Sequence, residues 1–272
     1  MADLQTSHVV VAWWCVIASI VALLRPLPGS RRLAIVSGAV ALLGTVFAVS
    51  RVPWAGAGAA IRTLAPAVWV VAAYWIASAY FVAPQAPLER WLGRVDDALL
   101  SRFRRERRGT RGAAWAAELL ELAYLAVYAT VPTGAWAAWE AGGLAAVDAY
   151  WLLVFPSVAT CYLSLAWGQT RPPRHLERSA CAGRRSALRR ANEFVLQHGS
   201  HGVNTVPSGH AAGAVAVALS LGGLGSPWAP LFWLLAAAIL VATVAGRYHF
   251  VVDTALGALV AVVCWAVVRV VS

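Results

Sequence analysis

The chain has 272 residues, of which 60% are hydrophobic and only 12% are charged, and its mean hydropathy is +0.67. Soluble domains are roughly half apolar and a quarter charged, so this composition excludes a soluble protein with a single core. It also excludes intrinsic disorder, and the absence of a glycine period with only 4 cysteines excludes collagen-like and disulfide-scaffold chains. The composition therefore predicts an integral membrane protein.

The charge of the chain is strongly positive. All 22 basic residues are arginine, against 12 acidic residues, and the formal net charge is +10. Guanidinium groups form paired hydrogen bonds with phosphate, and arginines clustered beside membrane spans bind anionic lipids. We therefore expect phosphate groups and anionic lipids as partners, and no nucleic acid.

Eight stretches are candidates for transmembrane helices, since a span needs about 20 mainly apolar residues. They are residues 9–24, 33–49, 65–83, 113–137, 149–168, 208–224, 228–246 and 249–270. We interpret residues 1–64 as two N-terminal transmembrane helices, because the N-terminus lacks the positive charge and the clear cleavage site of a secretory signal. Residues 65–272 then form the core. The predicted fold class is all-α, a polytopic membrane helix bundle of about eight transmembrane helices.

Residues 84–112, between the third and fourth predicted spans, have the pattern of a helix that lies on the bilayer surface. The run RFRRERR follows a series of apolar residues at helical spacing, namely Leu88, Trp91, Leu92, Val95, Leu99, Leu100 and Phe103. Such a segment is either a positively charged anchor on anionic lipid or a part of the site of chemistry. The anchor is the simpler interpretation.

The distribution of arginine predicts the orientation of the bundle. With eight antiparallel spans, 19 arginines lie on one face of the membrane and 3 lie on the other. Positively charged loops are retained in the cytoplasm, so the arginine-rich face is predicted to be cytoplasmic and both termini to lie outside. We expect the membrane to be the plasma membrane of a bacterium.

Three polar clusters at the ends of predicted spans are the candidates for chemistry, because polar groups at membrane depth are costly and usually functional. They are GQTRPPR at 168–174, NTVPSGH at 204–210 and GRYHFVVD at 246–253. All three fall on the arginine-rich face when eight spans are counted. We therefore predict that they combine into one site.

The residue types in the second and third clusters indicate phosphate chemistry. Ser208 and Gly209, at a predicted helix start, leave backbone N–H groups for an anion, and His210 follows within the first turn. His249 and Asp253 are four residues apart, so the carboxylate can orient one ring nitrogen and leave the other as a nucleophile. Each feature alone could have a purely structural role. Since three such roles would have to occur together by chance, the combination favours a common catalytic site.

Two arginines complete the predicted phosphate site. Arg171 in the first cluster and Arg247 in the third carry planar, permanently charged groups that suit the non-bridging oxygens of a phosphate. Taken singly, an arginine beside prolines in a loop is more simply an anchor on the lipid surface. The joint occurrence of these arginines with histidines and a carboxylate, at three helix ends on one face, favours the phosphate role.

At these residues the chain resembles the type 2 phosphatidic acid phosphatase (PAP2) superfamily, whose three motifs occur in this order around its last four membrane helices. PSGH at 207–210 matches the central motif, and TRPPR followed by RYHFVVD is most similar to the branch of the inositol phosphorylceramide synthases. The resemblance covers roughly residues 65–270. It implies a six-helix PAP2-like catalytic core, with no cofactor.

The resemblance also implies a role for each matching residue. In the family, the histidine of the third motif attacks phosphorus to form a phosphohistidine, which implies His249 as nucleophile and Asp253 as the residue that orients it. The histidine of the second motif protonates the leaving group, which implies His210. The residues that would hold the phosphate are Arg171, Ser208, Gly209 and Arg247.

Two positions depart from the family pattern. Ser164 stands where the first motif usually has a lysine, and Thr243 stands where the third motif usually has an arginine. Phosphate binding is therefore expected to differ in detail. Family members also commonly carry this site on the extracytoplasmic face, whereas the arginine distribution predicts the cytoplasmic face.

A stripe of polar residues on the fourth predicted span lies near the predicted site. It consists of Glu118, Glu121, Tyr124 and Tyr128, at helical spacing. Carboxylates at this depth need partners or water, so the stripe either binds a polar headgroup or acceptor, or pairs with arginines of the loops. His198, His201 and His210 could suggest a metal site, but the nearest carboxylate to them in the loop is Glu193 and the histidine chemistry needs no metal, so none is predicted.

The residues and the resemblance together predict a metal-independent membrane enzyme that hydrolyses a lipid phosphomonoester or pyrophosphate through a phosphohistidine. The first alternative is a phosphotransferase, in which an alcohol such as inositol replaces water as the second acceptor. The alternative from another class is a non-catalytic lipid-binding membrane protein. The pattern leaves open the lipid, the choice between hydrolysis and transfer, and the oligomeric state.

Overall fold

The computed structural model describes residues 5–53, 55–106, 111–176, 187–199 and 202–271. Within these ranges the chain forms ten α-helices, one 3-10 turn at Ser164–Ala166 and no β-strand, which confirms the all-helical class for this part of the chain. The helices are α1 (Thr6–Leu24), α2 (Gly29–Ser50), α3 (Ala57–Ser78), α4 (Ala86–Glu106), α5 (Arg111–Leu163), α6 (Pro173–Leu176), α7 (Ala187–Gly199), α8 (Gly209–Gly223), α9 (Ala229–Ala245) and α10 (Val251–Val271).

Helix α5 contains two of the predicted spans, because it folds back on itself at a kink. Gly142 and Gly143 leave helical geometry, and Gly143 adopts the left-handed conformation, with φ of 62°, that favours glycine. The hydroxyl of Tyr150 donates to the carbonyl of Val131 at 2.6 Å, so the two arms lie side by side. The helical segments extend beyond the predicted bounds because the residues between the spans are largely alanine and other helix formers.

Seven of the described helices are apolar. α1, α2, α3, α5 and α10 are long and apolar enough to cross a bilayer, whereas α8 and α9 are shorter, with 15 and 17 residues. This composition is compatible with an integral membrane bundle. The count of eight spans stays a prediction.

Helix α8 lies at the centre of the bundle and packs against α5, α9 and α10. Its side chains are mostly buried and mostly small, including the alanines at positions 211, 212, 214, 216 and 218. Small residues let neighbouring helices approach closely in a membrane protein. The start of α8 therefore lies close to the ends of the helices around it.

The N-terminal helices pack on the same core. The carboxylate of Asp148, on the second arm of α5, accepts the N–H groups of Thr6 and Ser7 at 3.1 and 2.9 Å and so caps the start of α1. The indole of Trp14 donates to the carbonyl of Ala159 at 3.0 Å. Buried residues of α1 and α2 thus share one hydrophobic core with α3 and α5. The division at residue 64 stays a prediction.

One end of the bundle collects all three polar clusters, and we call it the polar end. It comprises residues 79–85, 164–176, 202–208 and 246–250 together with α4 and α7. Backbone hydrogen bonds join these loops to each other, as between Asn204 N–H and the Thr170 carbonyl, and to α10, as between Ser208 N–H and the Asp253 carbonyl, both at 2.9 Å. The prediction of a common face for the clusters is thus matched in the fold.

Helix α4 forms part of the polar end, where it packs against α10. Its buried face carries Leu92 and two carboxylates, Glu89 and Asp96, while Trp91 and Leu99 are exposed. A surface helix at 84–112 was predicted, but its buried carboxylates were not. The side chains of the arginine run at 102–108 lie outside the described residues.

Candidate active site

The two candidate catalytic histidines face each other. Nε2 of His249 lies 3.3 Å from Nδ1 of His210. On the other side of the ring, Nδ1 of His249 lies 3.7 Å from Oδ2 of Asp253, which is ion-pair distance and longer than a hydrogen bond. Contacts of this kind often shorten when substrate binds. Nε2 is therefore the nitrogen that is turned away from the carboxylate and available as a nucleophile.

His249 takes this position from a turn, because α10 begins at Val251 and not at residue 249 as predicted. The N–H groups of Tyr248 and His249 both donate to the carbonyl of Thr243, at 2.9 and 3.0 Å. The turn thus folds back on the end of α9. Asp253 lies in the first turn of α10, where the helix dipole favours a negative charge.

Asn204 connects the three clusters, although the sequence pattern assigned it no role. Its side-chain amide donates to Oγ1 of Thr170 at 2.9 Å and to Oδ2 of Asp253 at 2.7 Å. The same carboxylate oxygen accepts the N–H of Phe250 at 3.1 Å. The carboxylate of Asp253 is therefore held by two hydrogen bonds in addition to its contact with His249. A buried amide within NTVPSGH, at membrane depth, was the signal that could have identified this residue.

The sequence predicted free backbone N–H groups at the start of α8, but in the structure these groups are hydrogen-bonded within the protein. The N–H of Ser208 donates to the carbonyl of Asp253 at 2.9 Å, and its hydroxyl accepts the N–H of Ala211 as a helix cap. The N–H of Gly209 donates to Oγ1 of Thr205 at 3.3 Å. These groups are engaged because the loop before α8 packs on the start of α10. Phosphate binding by Ser208 and Gly209 stays a prediction, and it requires these hydrogen bonds to exchange.

Tyrosines surround the ring of His210. Tyr124 stacks on it with ring centroids 5.2 Å apart, and Tyr128 meets it edge-on at 6.0 Å. The other face of Tyr124 stacks on Tyr248 at 3.6 Å. Two members of the predicted polar stripe therefore do reach the candidate site, where they contact the predicted general acid.

The carboxylates of the polar stripe lie elsewhere. Glu121 is buried and accepts hydrogen bonds from Arg189 at 2.8 Å, from Asn192 at 2.6 Å and from the hydroxyl of Tyr248. Since Arg189 and Asn192 belong to α7, these contacts fit the alternative role of pairing with residues of the loop region. Glu118 is half-buried one turn earlier and does not line the cavity described below.

The two arginines predicted to hold phosphate are bound to carboxylates of α4. Nε and Nη2 of Arg171 donate to the two oxygens of Glu89 at 3.0 and 2.8 Å. Nη1 of Arg247 donates to Asp96 at 2.7 Å. Hydrogen bonds from Arg171 lower the pKa of Glu89 below its ordinary value, against the opposite effect of burial. The pair therefore persists as the pH falls below the usual glutamate range and is lost only below the lowered pKa.

Arg174 lies in the position that was expected of Arg171. It lines the cavity beside His210 and His249, and its guanidinium carbon lies 4.8 Å from the centroid of the Tyr248 ring. Neither Arg171 nor Arg247 lines that cavity. Arg174 is the second arginine of TRPPR, so the sequence pattern contained it without distinguishing it from the first.

A cavity of about 520 Å³ begins at the two histidines and extends into the bundle between α3, α5 and α8. Its polar part includes Arg174 and Asn204. The rest is mainly apolar and includes Val68, Val70, Val71, Val127, Val131, Pro132 and Val158. Val68 and Val71 of α3 and Tyr128 of α5 line the cavity and are exposed, which indicates that the cavity is open between these two helices.

Metal ligands are not grouped in the part of the chain that the structure describes. No three histidine, cysteine, aspartate or glutamate side chains there are arranged to hold a metal ion. His201 lies outside the described residues. That the chemistry of the site needs no metal and no cofactor stays a prediction.

The family model of the PAP2 superfamily matches residues 145–272, slightly less than half of the chain. This region contains the three polar clusters, the second arm of α5, and α8, α9 and α10. Proteins of this superfamily are generally enzymes, phosphatases or phosphotransferases that act on phosphate esters. The predicted resemblance is therefore confirmed for this region at the level of the superfamily. No curated protein and no solved structure matches the chain significantly.

Proposed function

We propose that the chain is a membrane enzyme that cleaves a lipid phosphate ester or pyrophosphate through a phosphohistidine at Nε2 of His249. The observation that carries this proposal is the position of the His249 and His210 rings, with nitrogens 3.3 Å apart, at the polar end of an apolar cavity. The superfamily match supports chemistry on a phosphate ester.

In the first half-reaction, Nε2 of His249 attacks phosphorus and the bond between phosphorus and the leaving oxygen breaks. Asp253 keeps the proton on Nδ1 of His249 and stabilises the positive charge on the ring. His210 donates a proton to the leaving oxygen. In the second half-reaction, water attacks phosphorus and gives its proton to His210. The phosphorus–nitrogen bond then breaks, which releases phosphate and restores His249.

Among the described residues, Arg174 supplies the guanidinium that lines the cavity, and we assign it to the non-bridging oxygens of the phosphate. Its permanent charge would offset the charge that the phosphate carries throughout the reaction. The roles of Arg171, Arg247, Ser208 and Gly209 as direct phosphate ligands remain part of the proposal. Their hydrogen bonds to α4, to α10 and to the loop before α8 make them secondary to Arg174.

The apolar part of the cavity supports a lipid substrate. An alkyl or prenyl chain that lies between α3 and α5 would contact valines and remain continuous with the bilayer through the lateral opening. The phosphate would then lie beside His249 and Arg174, where the cavity reaches the polar end of the bundle. Hydrolysis is the primary proposal. Transfer to an alcohol such as inositol is the alternative, which the likeness of TRPPR and RYHFVVD to the inositol phosphorylceramide synthase branch favours.

A panel of lipid phosphates tests the function directly. Purified protein is incubated with lipid monophosphates and pyrophosphates, with and without inositol and with a metal chelator, and both free phosphate and transferred headgroup are measured. We expect release of free phosphate that the chelator does not reduce. A product that appears only with inositol would favour the transferase, and no turnover of any lipid phosphate would contradict both enzyme proposals.

We further propose that the polar end faces the cytoplasm, in the plasma membrane of a bacterium, because 19 of the 22 arginines lie on that face under the eight-span topology. Two exposed positions at opposite ends test this in a chain without native cysteines: Gln197→Cys at the polar end and Ala55→Cys at the other. A membrane-impermeant thiol reagent should label Ala55→Cys in intact cells, and Gln197→Cys only after permeabilisation. The reverse pattern would place the active site outside.

A further inference from the structure

The inward face of α4 carries two carboxylates that the catalytic chemistry does not use. Glu89 and Asp96 are 5% and 0% exposed, and their spacing of seven residues places them on one face of the helix, two turns apart. Buried carboxylates are costly unless each is paired and hydrogen-bonded. Each of these two is paired with an arginine from a different polar cluster.

Glu89 holds the first cluster. It accepts three hydrogen bonds from Arg171, from the backbone N–H at 2.9 Å, from Nε at 3.0 Å and from Nη2 at 2.8 Å. These contacts restrain the backbone and the side chain of one residue together. Arg174 follows three residues later, separated from Arg171 by two buried prolines that limit the freedom of the segment.

Asp96 accepts hydrogen bonds from the third cluster, from residues that precede and follow the nucleophile His249 in the chain. One carboxylate oxygen accepts Nη1 of Arg247 at 2.7 Å, and the other accepts the N–H of Val251, the first residue of α10, at 2.9 Å. Arg247 lies in the left-handed region, with φ of 60°, which is unfavourable for a residue with a side chain. The contact with Asp96 stabilises this turn, and His249 lies between its two anchored residues.

The two restrained loops also touch each other, since the N–H of Arg174 donates to the carbonyl of Arg247 at 3.2 Å. We propose that Glu89 and Asp96 are positioning residues, which fix the Arg174 guanidinium relative to Nε2 of His249 by holding Arg171 and the turn at 247–251. The inference rests on the proposed function, because it assigns phosphate binding to Arg174 and attack to His249. It gives α4 a role in the site besides contact with lipid.

The test uses the isosteric variants Glu89→Gln and Asp96→Asn of the full-length protein. We expect vanadate, which mimics phosphate at phosphorus-transfer sites, to bind about 10- to 100-fold more weakly, with a similar fall in kcat, because small displacements of reacting groups are costly. The KM for the lipid should change little, since the apolar contacts of the cavity remain. Asp97→Asn is the matched control, because it removes the same charge from the exposed side of the same helix.

A structural role alone would not produce this pattern. Arg174→Gln should weaken vanadate binding in the same way, and the melting temperature of each variant shows whether it is folded. Glu89→Gln is the safer variant, because the partner Arg171 is 45% exposed and can be hydrated when the contact is lost. If Glu89 acts through Arg171, the double variant Glu89→Gln with Arg171→Gln should lose no more affinity than the worse single variant.

The outcomes separate this inference from the proposed function. Unchanged vanadate affinity in folded Glu89→Gln and Asp96→Asn, or additive losses in the double variant, would overturn the positioning role even if lipid phosphate is turned over. Vanadate binding that depends on Glu89 and Asp96, without turnover of any lipid phosphate, would support the positioning role and contradict the proposed function.

Discussion

Replacement of His249 by alanine is expected to abolish turnover, by on the order of 10⁴-fold or more, and to abolish the covalent intermediate. Nε2 of this ring is the atom that we propose to bond to phosphorus, and among the described residues that line the cavity no other histidine has a carboxylate at ion-pair distance. Rapid acid-free quenching with substrate labelled at phosphorus measures the phosphoenzyme. His198→Ala is the matched control, because that histidine is exposed on α7 and does not line the cavity.

The same experiment distinguishes the two catalytic histidines. His210→Ala should lower the rate by about 10²- to 10⁴-fold, and the loss should be smallest for substrates whose leaving oxygen needs no proton, such as aryl phosphates. A phosphoenzyme that still forms in His249→Ala would refute the assignment of the nucleophile. A loss in His210→Ala that is the same for all leaving groups would refute the assignment of the general acid.

The second large effect is expected from Gly257→Ala, which should destabilise the protein by about 1–3 kcal/mol. A Cβ at Gly257 would overlap the backbone carbonyl oxygen of Ser208, and the backbone cannot move aside as a flexible side chain could. Helix α10 would have to withdraw from α8, and Asp253, one turn earlier, would move with it. Thermal unfolding in detergent, followed by tryptophan fluorescence, measures the change.

Gly44→Ala is the control for this substitution. Gly44 lies inside α2, and a Cβ there meets nothing within 4 Å, so the same chemical change should leave the melting temperature nearly unaltered. An equal effect of the two substitutions would mean that the close approach of α10 to α8 is not what makes Gly257 necessary.

Local sequence was sufficient to predict most of the apolar helices and to single out residues that the fold brings together at the candidate site. Apolar runs of about 20 residues are stable only in lipid or in a protein core, where a helix satisfies their backbone hydrogen bonds. The helices α1, α2, α3, α9 and α10 could therefore be predicted from composition. Antiparallel alternation then placed the three polar clusters at one end. The spacing of His249 and Asp253 was informative because any compact turn or helix start brings residues four apart together.

The exact position of the kink in α5 and the short helix α7 were not part of the sequence prediction. Residues 138–148 contain good helix formers, and only the packing of the two arms shows that Gly142 and Gly143 are the turn. Residues 187–199 are too polar for a membrane span, so no span was predicted there, and α7 is held by the contacts of Arg189 and Asn192 with Glu121 on α5. Contacts between residues 68 and 71 positions apart leave no trace in the local pattern.

The sequence by itself determined that arginines would accompany the two histidines, and only the tertiary structure decided which of them faces the cavity. Arg171 and Arg174 belong to one motif and have the same chemistry, so local pattern cannot rank them. The guanidinium of Arg171 is hydrogen-bonded to Glu89, 82 residues earlier, and that of Arg247 to Asp96, 151 residues earlier. The physical reason is that a buried carboxylate requires a partner, and that partner is whichever guanidinium the fold brings within hydrogen-bond distance.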